Sequence, residues 1–149
     1  MPSHEPPQLF GTSHFRVLVG RREIGVAEVS RLSTETDWTL PHGERTHRYE
    51  TVVLRRALTR STDLYDWRRR IIGGRNDRRA VTIQQLDAAD GSIVNAWRLD
   101  GAWPCRWSGP SFDAAVTAVA MEELELAYDD LVWLQPDEPN RPRTKTQGA

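Results

Sequence analysis

The sequence predicts a mainly β fold: antiparallel strands forming a barrel or sandwich, with one flanking α-helix. Three observations carry this. Several segments alternate apolar and polar residues with period two, as half-buried strands do. Two of these segments flank a short turn, as in a hairpin. A single segment, residues 61–74, carries helix signals at both ends. The chain has 149 residues, 38% hydrophobic and 28% charged, which suits one globular domain with a real core.

Residues 1–8 are polar and proline-rich and read as a loose arm; residues 135–149 (QPDEPNRPRTKTQGA) read as an exposed tail. The expected domain is therefore 9–134, without an internal repeat. Its first strand is HFRVLV (14–19), where Phe15, Val17 and Val19 share a phase. A short turn leads to 23–32, where Ile24 and Val26 share a phase that Val29 and Leu32 break, so a bulge or bend is expected. Residues 33–46 form a long polar connection with Pro41 and Gly43, and connections of that length are often functional. The next strand is 47–58, with Tyr49, Thr51 and Val53 opposed to Val52 and Leu54.

STDLYDWRRRIIGG (61–74) is the helix. Ser61 or Thr62 can cap it, Asp63 and Asp66 suit its positive end, and Arg68, Arg69 and Arg70 suit its negative end. Leu64, Trp67 and Ile71 fall on one face, and Gly73 and Gly74 end it. Val81 and Ile83 set the phase of a strand over 79–86. Ala-Ala-Asp-Gly at 88–91 makes the turn, and 93–99 returns as the second arm. In GAWPCRWSGPSFDAA (101–115), Trp103 and Trp107 stand four apart, which in extended chain puts both rings on one face. Pro104, Gly109 and Pro110 then suggest a rigid corner. Residues 114–134 are ambiguous: composition favours helix, alternation of Glu123 and Glu125 with Leu124 and Leu126 favours strand.

The net charge of -1 gives no bulk electrostatic reason to expect nucleic acid or an anionic membrane as partner. The basic residues are nearly all arginine, Lys145 being the only lysine. One cysteine, Cys105, excludes an internal disulfide and a Cys-based zinc site. Its use as a nucleophile needs a positioned base, and His4, His14, His42 and His47 stand in no catalytic or metal-binding spacing. A buried structural thiol is the better account. The Glu122, Glu123 and Glu125 cluster reads as a solvated strand edge rather than an acid pair. No secretory signal, membrane span, cofactor or metal site is expected, and the chain is expected not to be an enzyme.

Five segments in order resemble the tail tube protein family of contractile phages and contractile injection systems. HFRVLVG is the first. GRREIGVAEVSRLSTETD resembles the family's "EVSGL…ETE" strand and loop, and VVLRRALTRSTDLYDWRRRI its strand, "LKRGLT" turn and Trp-anchored helix. VTIQQLDAADGSIVNAWRLDGAWPCRWSGPSFDAA is similar to its hairpin and "A-W/Y-P-x-K/R-W-x-G-P" element, and VAMEELELAYDDL to its "EVAIE-x-LELAH-x-GL" ending. Ala57 and Arg31 stand where the family favours glycine, and Tyr128 where histidine is common. The loop 36–46 is shorter than in many tube proteins.

The resemblance implies hexameric rings stacked into a hollow tube inside a sheath, and it favours strand over helix for 114–134. The implied partners are further copies of the chain, a sheath protein, baseplate and tube-initiator or cap proteins, and cargo such as effectors. Neither membrane nor specific nucleic acid is implied. The implied location is the bacterial cytoplasm, within a phage-tail-like particle. It assigns Asp37, Trp38, Leu40, His42, Glu44 and Arg45 to ring-to-ring contact. Arg68, Arg69, Arg70 and Arg75 become candidate contacts to the sheath or a neighbour. Glu50, Thr51, Arg55, Arg56, Glu122, Glu123 and Glu125 become candidate lumen residues, while Trp67, Trp103, Trp107 and Pro110 are architectural. Two other readings stand beside the main one: a tube-initiator or baseplate-proximal paralogue, and, from another class, a small ligand-binding β-barrel or enzyme. The related secreted ring protein of type VI systems shares the general fold.

Overall fold

Each strand takes its place from the phase of its apolar residues. The computed structural model describes residues 8–35 and 50–135. It contains β1 (Phe15–Val19), β2 (Arg22–Ile24), β3 (Glu28–Val29), β4 (Thr51–Ala57), α1 (Asp63–Ile72), β5 (Arg79–Leu86), β6 (Ile93–Ser108), β7 (Met121–Ala127) and β8 (Asp130–Leu134). The strand order is β2-β1-β5-β6-β7-β4-β3, with β8 paired to β6 off this path, and every pairing is antiparallel.

The 16-residue β6 joins two sub-sheets. Its first half lies between β5 and β8; its second half pairs with β7. β7 and β8 follow β6 almost as one strand, from Ala127 opposite Trp103 to Asp130 opposite Asp100, interrupted at Tyr128 and Asp129. The interruption is a corner. Gly101 sits opposite it at φ +64°, where an added Cβ would lie 2.2 Å from Asp129 Oδ2. The Asp129 N–H donates to Asp100 O at 2.8 Å, and Arg78 donates to both carboxylate oxygens at 3.0 Å. The positive φ favours glycine here, and an added Cβ would also push the Asp129 carboxylate off Arg78. Gly101→Ala is expected to destabilise by roughly 2–4 kcal/mol, read as a lower midpoint in urea.

The core lies between the sub-sheets. Val17, Val81 and Leu99 come from one; Val52, Leu54, Leu124 and Leu126 come from the other, all essentially inaccessible. Leu64 and Trp67 of α1 close it, with Ile71 packed alongside, as the helical spacing predicts. The capping differs from expectation. Thr62, at φ -102° and ψ 18°, makes no side-chain cap. Its hydroxyl donates instead to Asp66 Oδ2 at 2.9 Å, and Asp63 Oδ1 accepts the Leu64 N–H at 2.9 Å. Acidic side chains thus take over the first turn. At the far end Gly74, at φ +84°, donates to Ile71 O at 3.0 Å.

Three local expectations are corrected. Segment 23–32 is not one bulged strand. β2 pairs with β1, the chain crosses over at 25–27, and β3 pairs with β4 in the other sub-sheet. The phase break between Val26 and Val29 marks that change of sheet. Secondly, Trp103 and Trp107 do not share a face. A register slip between Pro104 and Arg106 inserts one extra residue, so Trp103 pairs with Ala127 while Trp107 pairs with inward-facing Leu124. Thirdly, 114–120 is not strand. Residues 109–120 form an exposed loop, and β7 begins at Met121. Gly109 serves by its lack of a side chain rather than by an unusual φ: its missing Cβ would lie 2.9 Å from the Trp107 ring.

Candidate functional site

The outer face of the sub-sheet β3-β4-β7-β6 is polar, and the strand phases dictate which residues reach it. On β4, Val52, Leu54 and Arg56 are buried while Thr51, Arg55 and Ala57 are exposed. On β7, Glu122, Leu124 and Leu126 point inward, so Glu123 and Glu125 point out. The cross-strand register aligns Arg55 with Glu28 on one side and Glu123 on the other. Arg55 bridges both carboxylates, at 3.7 Å to Glu28 Oε2 and 3.6 Å to Glu123 Oε1. Arg106 stands opposite Glu125, and Ser108 opposite Glu123.

Two shallow hollows mark this wall. One, of about 390 Å³, is lined by Glu28, Ser30, Val53, Arg55 and Glu123. The other, of about 130 Å³, is lined by Val53, Arg106, Ser108, Glu123 and Glu125. Arg55 is neutralised across the strands by Glu28 and Glu123, while Arg106 and Glu125 bring opposite charges into register. Such a wall stays hydrated and presents neither a large apolar patch nor a field of one sign.

The predicted lumen residues therefore separate. Thr51, Arg55, Glu123 and Glu125 lie on the outer face. Arg56 and Glu122 do not: they are 8% and 2% exposed and belong to the interior. Arg56 Nε donates to Glu122 Oε1 at 3.2 Å, and its terminal nitrogens donate to both carboxylate oxygens of Asp63 on α1. This triad ties the helix to the sheet. Burial works against the charge of each partner, but the mutual hydrogen bonds and attraction win, holding Asp63 below the usual carboxylate range and raising Arg56. The sequence carried a signal for it. Arg56 continues the phase of Val52 and Leu54, and Glu122 that of Leu124 and Leu126.

Glu50 also departs from the wall. Its Oε2 accepts the Tyr128 hydroxyl at 3.3 Å and the Ser33 hydroxyl at 3.4 Å, while Tyr128 also donates to Ser33 O at 3.0 Å. Burial, then the charge of Glu50, pushes Tyr128 up to about 12. Tyr128 thus joins the chain on both sides of residues 34–49.

The helix arginines do different things. Arg68 donates to Pro104 O at 3.3 Å, and Arg70 pairs with Asp77 at 3.6 Å, whereas Arg69 and Arg75 are exposed. Trp67 is fully buried, Trp107 packs on the core with Tyr65 edge-on at 5.1 Å, and Trp103 and Pro110 are half-buried. Cys105 is half-buried, with Sγ 3.5 Å from Glu125 O, and burial followed by the charge of Glu125 pushes its thiol up. A raised thiol pKa disfavours a reactive thiolate. Asp37, Trp38, Leu40, His42, Glu44 and Arg45 lie outside the described residues. Among the described residues, no group of three or more His, Cys, Asp or Glu side chains could hold a metal ion, and no helix is long and apolar enough to cross a membrane.

The family described as T4-like virus tail tube protein gp19 matches residues 11–132. No curated protein sequence matches. Among solved structures, the tube-terminating cap of the anti-feeding prophage superimposes with a TM-score of 0.74 at 17% identity, covering 91% of this chain and 99% of that one. A chain of the sheath-tube complex of the extracellular contractile injection system PVC, in its extended state, gives 0.68 at 23% identity, over 89% of this chain and 94% of that one. Hcp1 from Flavobacterium johnsoniae gives 0.57 at 16% identity, over 80% and 93%.

Proposed function

The chain belongs to the T4-like virus tail tube protein family, and on that premise we propose that it is the inner-tube subunit of a contractile injection system or phage-tail-like particle. Copies close into hexameric rings, and the rings stack around a lumen through which cargo passes. The observation that carries this reading is the outer face of β3-β4-β7-β6, where Glu28, Arg55 and Glu123 form a cross-strand ion-paired wall. A self-neutralised, hydrated surface lets a passing molecule slide without sticking. Thr51, Arg55, Glu123 and Glu125 line the channel in this reading.

Sheet edges supply the assembly force. β2, β3 and β8 end their sub-sheets, and open strand edges are templates for pairing with another chain. A heterologous contact that closes by rotation satisfies every copy at once. The sheath is the partner around the tube, and exposed Arg69 and Arg75 on the helix side are its contacts. Baseplate, initiator and cap proteins meet the tube at its ends. Asp37, Trp38, Leu40, His42, Glu44 and Arg45 carry the ring-to-ring contact. The role is structural, not enzymatic, and the protein resides in an assembled particle built in the bacterial cytoplasm.

Electron microscopy of the purified protein, alone and with its sheath partner, tests this. Rings or tubes with a hydrated channel are expected; a stable monomer under all these conditions would refute the reading. Labelling the protein in whole particles separates a subunit spread along the tube from one confined to its end. Trp38→Ala is expected to keep the monomer's melting transition while sharply reducing tube length. Normal tubes from this variant would remove Trp38 from the interface.

A further inference from the structure

The ladder between β3 and β4 stops short of the long connection that joins them. Beyond Val29 opposite Leu54, its last bonds run from Ser30 N–H to Val53 O at 3.0 Å and from Val53 N–H to Ser30 Oγ at 2.8 Å. One arm then leaves the sheet through Ser33, and the other returns through Glu50. Among the described residues, no backbone bond holds these two arms together.

A side chain from the end of β7 does. Tyr128 follows Ala127, which stands opposite Thr51 at the start of β4. It continues the inward row of Leu124 and Leu126 and packs with them in the core, 5% exposed, so its hydroxyl sits on a rigid stem. That hydroxyl meets Ser33 O on one arm at 3.0 Å and Glu50 Oε2 on the other at 3.3 Å. The Ser33 hydroxyl adds a direct bond to the same Oε2 at 3.4 Å. With its pKa pushed up to about 12 by burial and then by the charge of Glu50, the phenol keeps its proton at neutral pH. Glu50 Oε1 is buried and has no hydrogen-bond partner among the described residues, so these two hydroxyls are the donors that hold the carboxylate there. Phenylalanine would serve the core packing equally well; what the hydroxyl adds is the link between the arms.

Resting on the tube reading above, we propose that Tyr128 is a positioning residue for ring stacking: its hydroxyl clasps Ser33 and Glu50 and so sets the separation at which residues 34–49 leave and rejoin the sheet. Buried as it is, Tyr128 acts through that segment rather than by touching the next ring. Fixing both roots of a loop removes conformations that docking would otherwise have to give up. Repetition around a ring multiplies a small gain in each copy.

The test uses the full chain with Tyr128→Phe, which removes one oxygen. The variant should keep a cooperative melting transition and form rings at the parent's concentration. The concentration needed for tubes should rise about tenfold or more, as loss of one hydrogen bond in every repeated contact requires. Glu50→Ala, which frees the other arm, should do the same, and the two together should be no worse than either, since one clasp is broken. Trypsin on the unassembled chain gives a second readout: cleavage after Arg45 or Arg48 should accelerate severalfold in both variants, with cleavage after Arg16 unchanged. Tubes at the parent's concentration from Tyr128→Phe, while Trp38→Ala shortens them, would overturn the proposal and leave the tube reading standing. Loss of rings together with tubes would also overturn it, because the hydroxyl would then serve the fold rather than stacking. A parent that forms neither rings nor tubes would refute the tube reading and the stacking role with it, while faster cleavage in the variants would still uphold the clasp.

Discussion

Arg56→Ala is expected to destabilise the subunit by about 3–5 kcal/mol. The substitution leaves Glu122, 2% exposed, charged and without its partner, and releases Asp63 from the sheet. A buried pair is weak evidence of net stability, because each ion has lost water; breaking one side of it is what harms. The double variant Arg56→Met, Glu122→Leu should therefore recover much of the loss, since it removes the stranded charge with its partner. Urea unfolding of the three proteins measures this. If the single variant unfolds within 1 kcal/mol of the parent, by the same scale, the triad is a surface pair and not a tie.

The same triad predicts an acid limit. Asp63 has a folded pKa below its unfolded value, so its stability contribution is fully present above the unfolded pKa, ~3.9. It is lost as pH falls through the lower folded value. Asp77, lowered chiefly by its hydrogen bond from Arg79, adds in the same sense. Stability of the parent should fall between about pH 5 and the acid end. In Arg56→Ala the slope should be shallower, retaining the part due to Asp77. An unchanged slope would detach the acid sensitivity from Asp63.

Trp67→Ala should cost a further large amount, about 3–5 kcal/mol. The indole is 0% exposed, donates from Nε1 to Asp77 O at 2.7 Å, and lies under the Arg79 guanidinium, 4.6 Å from ring centre to Cζ. Alanine leaves a cavity, an unpaired carbonyl and an arginine without its aromatic face. Trp67→Phe should be milder, keeping most of the volume and losing the hydrogen bond. Thermal melts of the two variants separate volume from bonding; equal melts would show that the hydrogen bond, not the packing, dominates.

Much of this architecture was legible in the chain. Val17, Val81, Val52 and Leu54 announced strand faces by alternation alone, and Leu64, Trp67 and Ile71 announced a helix face by spacing. The polar wall was half legible. The residues Arg55, Arg56, Glu122, Glu123 and Glu125 stood out, but charge alone said nothing about which of them turn inward. Phase could have said it, since Arg56 and Glu122 each continue a buried row. Residues 101–115, Phe112 among them, read as a strand and a rigid corner, and 114–120 as strand by resemblance; the first lie partly and the second wholly in an exposed loop, because Ala and Val content carries no mark of exposure.

The sequence by itself determined the fold class, the helix, the strand phases and the family, because periodicity and ordered motifs are local properties of the chain. Only the tertiary structure decided which sheet each strand joins and which face each side chain meets. The extra residue at Cys105 and the left-handed bend at Gly101 redirect every side chain beyond them. A slip of one residue in an extended chain exchanges inside for outside. That slip is set by partners distant in sequence, Leu126 opposite Pro104 and Leu124 opposite Trp107, which no local pattern can name.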